Sequence, residues 1–230
     1  MRVAFISDTH EQERQLTQSL ITAKPDVLVH CGDFTGIGRL ERVHDFADWC
    51  LMLRRKKYVG HVLVVAGNHD IAFDETHPKC AGPALPERAR AILHDAGIHY
   101  LQDSGCSVTD EHGSARTFWG SPWTPRFFDW AFQIDSKSQD DAIFAQVPIR
   151  LDVLVTHGPP LGIMDRTPDG RHVGSTALWA AVERVKPRVH AFGHIHGMYG
   201  LVVGRPTLFV NASTCTEAYK PTNPPVVMDI

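Results

Sequence analysis

Residues 61–70 read HVLVVAGNHD, a short apolar run that stops at a glycine, an amide, an imidazole and a carboxylate. Six residues this rich in Val and Leu predict a strand buried on both faces. The ending matters more than the run, because Asn68, His69 and Asp70 are turn residues that also bind metals and move protons. Working outward, the pattern recurs. RVAFIS (2–7) runs into Asp8-Thr9-His10, and DVLVHC (26–31) into Gly32-Asp33. LDVLVT (151–156) runs into His157-Gly158, and RVHAF (188–192) into Gly193-His194-Ile195-His196.

Between these strands, helices are predicted over 11–23, 40–57, 86–96, 139–146 and 176–185; Val43, Phe46, Ala47, Cys50, Leu51 and Leu53 keep near-helical spacing. Short strands are predicted near 98–101, 105–109 and 115–120, and a late pair at 200–203 and 207–211. Residues 121–138 read as an aromatic loop, and the last residues as a Pro-punctuated tail. Apolar strands alternating with helices give an α/β fold with sheets covered on both faces and functional loops at strand C-terminal ends. The late β-β run makes the sheets mixed. No repeat or linker divides the chain, so residues 1–230 are expected to form a single domain.

Composition narrows the class. Hydrophobic residues make up 43% and charged residues 21%, as in ordinary soluble globular chains. A formal net charge of −3 supplies no basic field, so extended nucleic acid is not an expected partner. No apolar run approaches the roughly 20 residues of a membrane span, and residues 2–7 already read as a strand rather than a leader, so no membrane association is expected. Five scattered cysteines without a C-x-x-C pair predict the reducing cytoplasm. Histidine is the abundant residue, with 14 copies.

One turn with an acid and a histidine is unremarkable, since Asp8 or Thr9 could simply cap a helix. Five strands ending this way are another matter. Topology alone gathers their termini, and Gly32, Gly67, Gly158 and Gly193 permit tight turns beside them. His194 and His196 lie two apart, on one side of an extended segment. Carboxylate oxygen and imidazole nitrogen suit the borderline divalent metals.

The series D8-x-H10, G32-D33, G67-N68-H69-D70, H157-G158 and G193-H194-x-H196 resembles the calcineurin-like metallophosphoesterase superfamily. HGPPLG, GSPWTP and the short length further resemble its small stand-alone metallophosphoesterase-domain members. The resemblance implies a four-layer α/β/β/α sandwich with two divalent ions at the strand ends. It implies that Asp8, His10, Asp33 and His196 hold one ion, and that Asp33 also bridges to a second held by Asn68, His157 and His194. His69 would be the catalytic histidine beside the scissile phosphate, steered by Asp70.

Chemistry agrees with that assignment. Two cations about 3.5–4 Å apart clamp the attacking and leaving oxygens of an in-line displacement, and lower the pKa of bound water to about 7. A carboxylate has two oxygens with which to bridge, and Asn68 coordinates without adding charge. The implied reaction is hydrolysis of a small-molecule phosphoester by metal-bound hydroxide, with His69 protonating the departing alkoxide. Diesters, nucleotide-derived or cyclic nucleotides among them, are the expected substrates; a phosphomonoesterase or protein phosphatase is the alternative, and a nucleotide-binding regulator with weak hydrolysis a third reading. Mn²⁺ or iron is the expected metal, with Zn²⁺ or Ni²⁺ compatible.

Specificity is expected from loops 71–86, 121–138 and 158–175. Within FWGSPWTPRFFDWAF (118–132), Trp123 is the expected stacking contact and Arg126 the expected phosphate contact, although aromatics in such clusters more often serve packing. Arg166 and Arg171 read as solvated, His172 as a conceivable substrate contact, and the other histidines, including His30 and His190, as surface or packing residues.

Overall fold

The structure, a computed structural model, describes residues 1–80 and 84–230; residues 81–83 of the predicted specificity loop 71–86 lie outside the described residues. In chain order the first half supplies β1 (Arg2–Ile6), α1 (Thr17–Ala23), β2 (Val27–His30), α2 (Leu40–Arg55), β3 (His61–Val64), α3 (Ala84–Asp95) and β4 (His99–Tyr100). The middle supplies β5 (Ser104–Thr109), β6 (Ala115–Ser121), β7 (Thr124–Pro125), β8 (Gln133–Ile134) and α4 (Lys137–Phe144). The last third supplies β9 (Val153–Thr156), α5 (Thr176–Val185), β10 (Val189–Phe192), β11 (Gly200–Val203), β12 (Leu208–Asn211) and β13 (Val226–Asp229).

Two mixed sheets result, in the orders β13-β1-β2-β3-β4 and β11-β12-β10-β9-β6-β5. Strands β1 to β4 run parallel, as do β6, β9, β10 and β12, while β13, β11 and β5 pair antiparallel at the margins. Side-chain alternation then fills three cores. Ala4, Ile6, Leu28, Val62 and Val64 face α1, α2 and α3. Val3, Phe5, Val27, Val29 and Leu63 face Val153, Val155, Val189, Ala191 and Val210 across the sheet-to-sheet interface. Leu154, Phe192 and Phe209 face α4 and α5. Three cores separate four layers, so the fold is the α/β/β/α sandwich.

Helix starts follow local chemistry. The Ser175 side chain caps α5 by accepting from the Leu178 amide, and Ser136 caps α4 by accepting from the Gln139 amide. The Ser136 cap starts α4 two residues before the expected helix. Two further expectations are corrected. The aromatic loop contains the two-residue parallel ladder of β7 and β8. The tail is no mere tail: it returns as β13, pairing Arg2 with Asp229 and Phe5 with Val226. A bridge between Ser7 and Ser213, just beyond β1 and β12, brings the sheets together at their C-terminal ends.

Candidate metal centre

The turns after β1 and β2 run side by side there, with the Asp8 amide donating to Gly32 O at 2.9 Å and the His10 amide to Asp33 O at 3.1 Å. The turns after β9 and β10 meet through the Gly193 amide and His157 O at 2.9 Å. The two pairs are cross-linked by the His194 amide, which donates to the Asp8 carboxylate at 3.0 and 3.1 Å. Such close approach strains the backbone: Asp8, His10, Asp33 and His194 all adopt positive φ, at 50°, 43°, 58° and 67°. Non-glycine residues in that region cost about 1–3 kcal/mol each and persist where the surroundings over-determine them, commonly at functional sites. At Gly193 a Cβ would overlap the Asp8 carboxylate and the Ser7 hydroxyl, so only glycine fits there.

Six of the seven expected ligands, together with His69, converge in three overlapping sets. Ligand atoms of Asp8, His10 and His196, of His10, Asp33 and His69, and of Asp33, His157 and His194 lie within 4.8 Å of one another in each set. Asn68 joins the third set through its Oδ1, 2.9 Å from His157 Nε2.

Backbone carbonyls decide which imidazole nitrogens face inward. Cys31 O lies 2.9 Å from His157 Nδ1, Thr216 O 3.1 Å from His196 Nδ1, and Gly36 O 2.7 Å from His69 Nδ1. A carbonyl only accepts, so each Nδ1 carries the hydrogen and each Nε2 is left to face the centre. This is the outer-shell arrangement that orients metal-binding histidines. His157 Nε2 lies 3.3 Å from Asp33 Oδ2, and His196 Nε2 lies 3.3 Å from Asp8 Oδ1. Lone pairs of imidazole, carboxylate and amide therefore point at one another, an arrangement held together only by protons or cations.

The electrostatics carry the same message. Asp8 is wholly inaccessible and Asp33 nearly so, and among the described residues no Lys or Arg pairs with either. Burial pushes both carboxyls up, but His196 at Asp8 and His157 at Asp33 override it and hold both well below the usual range. Reciprocally, burial opposes charge on His157 and His196, yet Asp33 and Asp8 raise them to about 9 each. Burial lowers His194 to about 3. Protons on His157 and His196 here occupy the electrostatic role a divalent ion would fill, so the donor set fits divalent metal.

His69 is placed rather than merely nearby. Its amide donates to Asp33 Oδ1 at 2.8 Å, and its ring lies edge-on to His10 at 4.8 Å and against Trp130 at 4.0 Å. Asp70 is brought in differently from the expectation. Its Oδ2 accepts from the Asp33 and Gly67 amides at 2.9 and 2.8 Å, and its Oδ1 from the Thr35 amide and hydroxyl at 2.9 and 2.7 Å. It thus ties the turn after β2 to the turn after β3, while Gly36 O orients the His69 ring.

Above the centre lies a groove of about 500 Å³, walled by Pro125, Phe127, Pro168, Val173 and Tyr219 and edged by Thr167 and Arg171. Phe127 stands edge-on to His194, and Tyr219 edge-on to His10 and His196. Trp123 is not in this groove: its indole N–H donates to Asp103 Oδ2 at 2.7 Å and its ring packs against Phe132. Arg126 does edge the groove, but Asp135 and Asp129 pair with its guanidinium. Sequence reasoning missed Phe127, Trp130 and Tyr219 as site residues. The first two sat unresolved within the aromatic cluster, and Tyr219 had no local signal.

A buried, multi-histidine, two-carboxylate centre at the C-terminal edge of an α/β/β/α sandwich defines a metal-dependent phosphoesterase, and the chain belongs to the calcineurin-like phosphoesterase family, whose model matches residues 1–198. It is 35% identical over 245 residues to human metallophosphoesterase domain-containing protein 1, covering 100% of this chain and 71% of that protein. It is 33% identical over 235 residues to a UPF0046 protein of Caenorhabditis elegans, covering 100% and 75%. Among solved structures, phosphopantetheinyl hydrolase from Mycobacterium tuberculosis shares the fold, with a TM-score of 0.60 at 17% identity over 97% of this chain and 95% of that one. Family membership makes this a hydrolase of phosphoesters that uses divalent metal. Tyr219 and β13 lie beyond the matched residues, so one wall of the groove is supplied from outside that span. No helix among the described residues is long and apolar enough to cross a membrane.

Proposed function

We propose that the protein hydrolyses phosphodiesters at a centre of two divalent ions, with Asp8, His10, Asp33 and His196 holding one and Asp33, Asn68, His157 and His194 the other. The observation that carries this is the inward convergence of four imidazoles, two buried carboxylates and one amide oxygen, with no Lys or Arg among the described residues paired to either carboxylate. Bound there, divalent ions would supply Lewis-acid activation of water and of the phosphoryl oxygens. Mn²⁺ or iron is favoured for this mixed N/O set, and Zn²⁺ or Ni²⁺ also suits it.

The chain's own residues do the rest. His69, with Nδ1–H engaged by Gly36 O, presents Nε2 toward the centre, where it would give a proton to the departing oxygen. Trp130 and His10 hold its ring in that orientation. Asp70 fixes the spacing between Asp33 and the Asn68–His69 turn. The groove favours a diester over a monoester: its walls are largely apolar, and its two guanidinium groups are engaged by Asp135, Asp129 and Asp169. Beyond the two ions, a dianionic phosphate would find both groove guanidinium groups already paired, whereas a diester's second substituent finds Phe127 and Tyr219. A nucleotide-derived or cyclic nucleotide ester meets both requirements. The scattered, odd cysteine count fits action in the reducing cytoplasm.

The test is hydrolysis of bis-p-nitrophenyl phosphate beside p-nitrophenyl phosphate, with Mn²⁺ restored after chelation. Diester cleavage that depends on Mn²⁺ and collapses in Asn68→Ala is expected. Cleavage of the monoester alone would replace this reading with a phosphomonoesterase.

A further inference from the structure

Two histidines without a part in that chemistry occupy equivalent places behind the centre. His30 ends β2 and His190 lies within β10, and both are 0% exposed. His30 is packed edge-on to Phe34 and Phe46, at 5.8 and 5.4 Å. His190 is packed against Phe192 and Phe209, at 5.0 and 6.0 Å. Each sits on the helix-facing side of its own sheet, where an aliphatic residue would pack without desolvating two nitrogens.

Their hydrogen bonds show what the nitrogens do. The Gly32 amide donates to His30 Nδ1 at 3.2 Å, and an amide only donates, so Nε2 carries the hydrogen. That N–H reaches Thr9 Oγ1 at 2.9 Å. Thr9 lies between Asp8 and His10, and Gly32, at a φ of 100°, immediately precedes Asp33. One rigid ring therefore spans the two turns that present three of the expected ligands. In the other sheet, the Thr156 hydroxyl donates to Gly158 O at 2.7 Å, so its oxygen must accept from His190 Nε2 at 2.9 Å. Thr156 and Gly158 bracket His157. The same device, an imidazole N–H on a threonine hydroxyl beside a ligand turn, thus appears once in each sheet.

We propose that His30 and His190 are positioning residues, neutral imidazoles that fix the ligand-bearing turns from behind and thereby set the affinity of the centre for divalent metal. Neutrality is built in: burial among aromatic side chains lowers both to about 3, so neither competes with the metal as a second positive charge. Histidine suits the task at position 30 because its ring carries a donor and an acceptor at fixed separation. An amide side chain offers both from one end of a flexible stem, and a carboxylate offers no donor.

The inference rests on the metal-centre reading above, and the experiment separates the two. Metal-free protein is titrated calorimetrically with Mn²⁺, with thermal unfolding followed in parallel, for wild type, His30→Leu, His190→Leu, Thr9→Val and His30→Gln. Outer-shell changes of this kind typically weaken metal affinity about 10- to 100-fold. That loss is expected in His30→Leu and His190→Leu while their metal-free melting temperatures stay within a few degrees of wild type, because leucine suits the apolar surroundings. Thr9→Val removes the acceptor while leaving the imidazole, and is expected to weaken Mn²⁺ by a similar factor; it carries the test should His30→Leu not fold. His30→Gln, which restores a donor toward Thr9, is expected to recover part of the affinity. Wild-type affinity in folded His30→Leu, Thr9→Val and His190→Leu would reduce both histidines to packing residues and overturn the proposal. Failure of wild type itself to bind Mn²⁺ would overturn the metal-centre reading, and the proposal with it.

Discussion

The Nε2 atoms of His10 and His196 face each other across 3.4 Å. Thr216 O fixes the hydrogen of His196 on Nδ1, so a lone pair or an additional proton occupies the inward side. A proton shared between the two nitrogens closes that contact, and in the proposed centre a cation facing both lone pairs would replace it. Any ligand that binds the folded chain and not the unfolded one stabilises it by mass action, about 2.7 kcal/mol at 100 times its Kd. Chelation is therefore expected to lower the melting temperature, and Mn²⁺ to restore it in wild type but not in Asp33→Ala. Differential scanning calorimetry checks this; an unchanged melting temperature on chelation and reloading would contradict it.

Asp70 accepts four hydrogen bonds from groups that can only donate or are oriented to donate. Asp70→Asn would turn an amide NH₂ against two of those donors. A loss of about 1–3 kcal/mol is expected from the buried groups left unpaired. Weaker metal binding should accompany it, since the turn carrying Asp33 is then untied from that carrying Asn68. Urea unfolding and metal analysis of the same preparation read both effects.

His69 acts, on this account, on the leaving group. Its removal should matter most where the leaving oxygen needs a proton. His69→Ala is expected to lower kcat on an alkyl ester by on the order of 10²-fold or more, but to affect a p-nitrophenyl ester far less, because p-nitrophenolate departs unprotonated. Trp130→Ala should reproduce a weaker version of that pattern by loosening the ring. Equal losses on both esters would refute the acid role.

Phe127 and Tyr219, 47% and 50% exposed, present ring faces and edges to the groove from opposite segments of the chain. Aromatic contacts are worth about 0.5–1.5 kcal/mol each beyond area burial. Phe127→Ala and Tyr219→Ala are each expected to raise KM for aryl or nucleoside esters about 2- to 10-fold, with kcat little changed. Steady-state kinetics on phenyl against methyl esters sharing one leaving group would show whether the selectivity falls as expected.

Two opposed sets of histidines contribute to the pH dependence of the metal-free protein. Despite burial, Asp33 and Asp8 raise His157 and His196 to about 9, so their contribution is present below the ordinary imidazole value near 6.5 and is lost as pH rises toward 9. Burial lowers His30 and His190 to about 3, so their contribution is present above about 6.5 and is lost as pH falls toward 3. Metal-free stability is expected to peak near neutrality. Metal replaces the protons on His157 and His196 and should remove the alkaline limb, which melting curves across pH with and without Mn²⁺ would reveal.

The five ligand turns were legible because each follows a strand too apolar to be anything but buried, and parallel topology gathers strand ends. What sequence could not supply is placement across long separations. β13 was hidden because Pro221, Pro224 and Pro225 precede a four-residue strand whose partner, β1, lies at the opposite end of the chain. Tyr219 reaches His10 because the segment after β12 crosses to the turn after β1, where the Thr214 and Cys215 amides donate to Ser7 O and Asp8 O and the Gln12 side chain donates to Tyr219 O. Trp123 rather than Trp130 drew attention because seven aromatics without periodicity do not reveal their faces. Arg126 read as a phosphate contact because its partner, Asp135, comes nine residues later in a loop. His30 and His190 read as surface or packing residues, and both are buried; only the hydrogen bonds distinguish the further role.

The most direct measurement is anomalous diffraction from crystals of the protein loaded with Mn²⁺, collected at the manganese edge. The account predicts two peaks about 3.5–4 Å apart, with Asp33 between them, His10 and His196 at one, and Asn68, His157 and His194 at the other. A single peak, or ions placed away from Asp33, would contradict it.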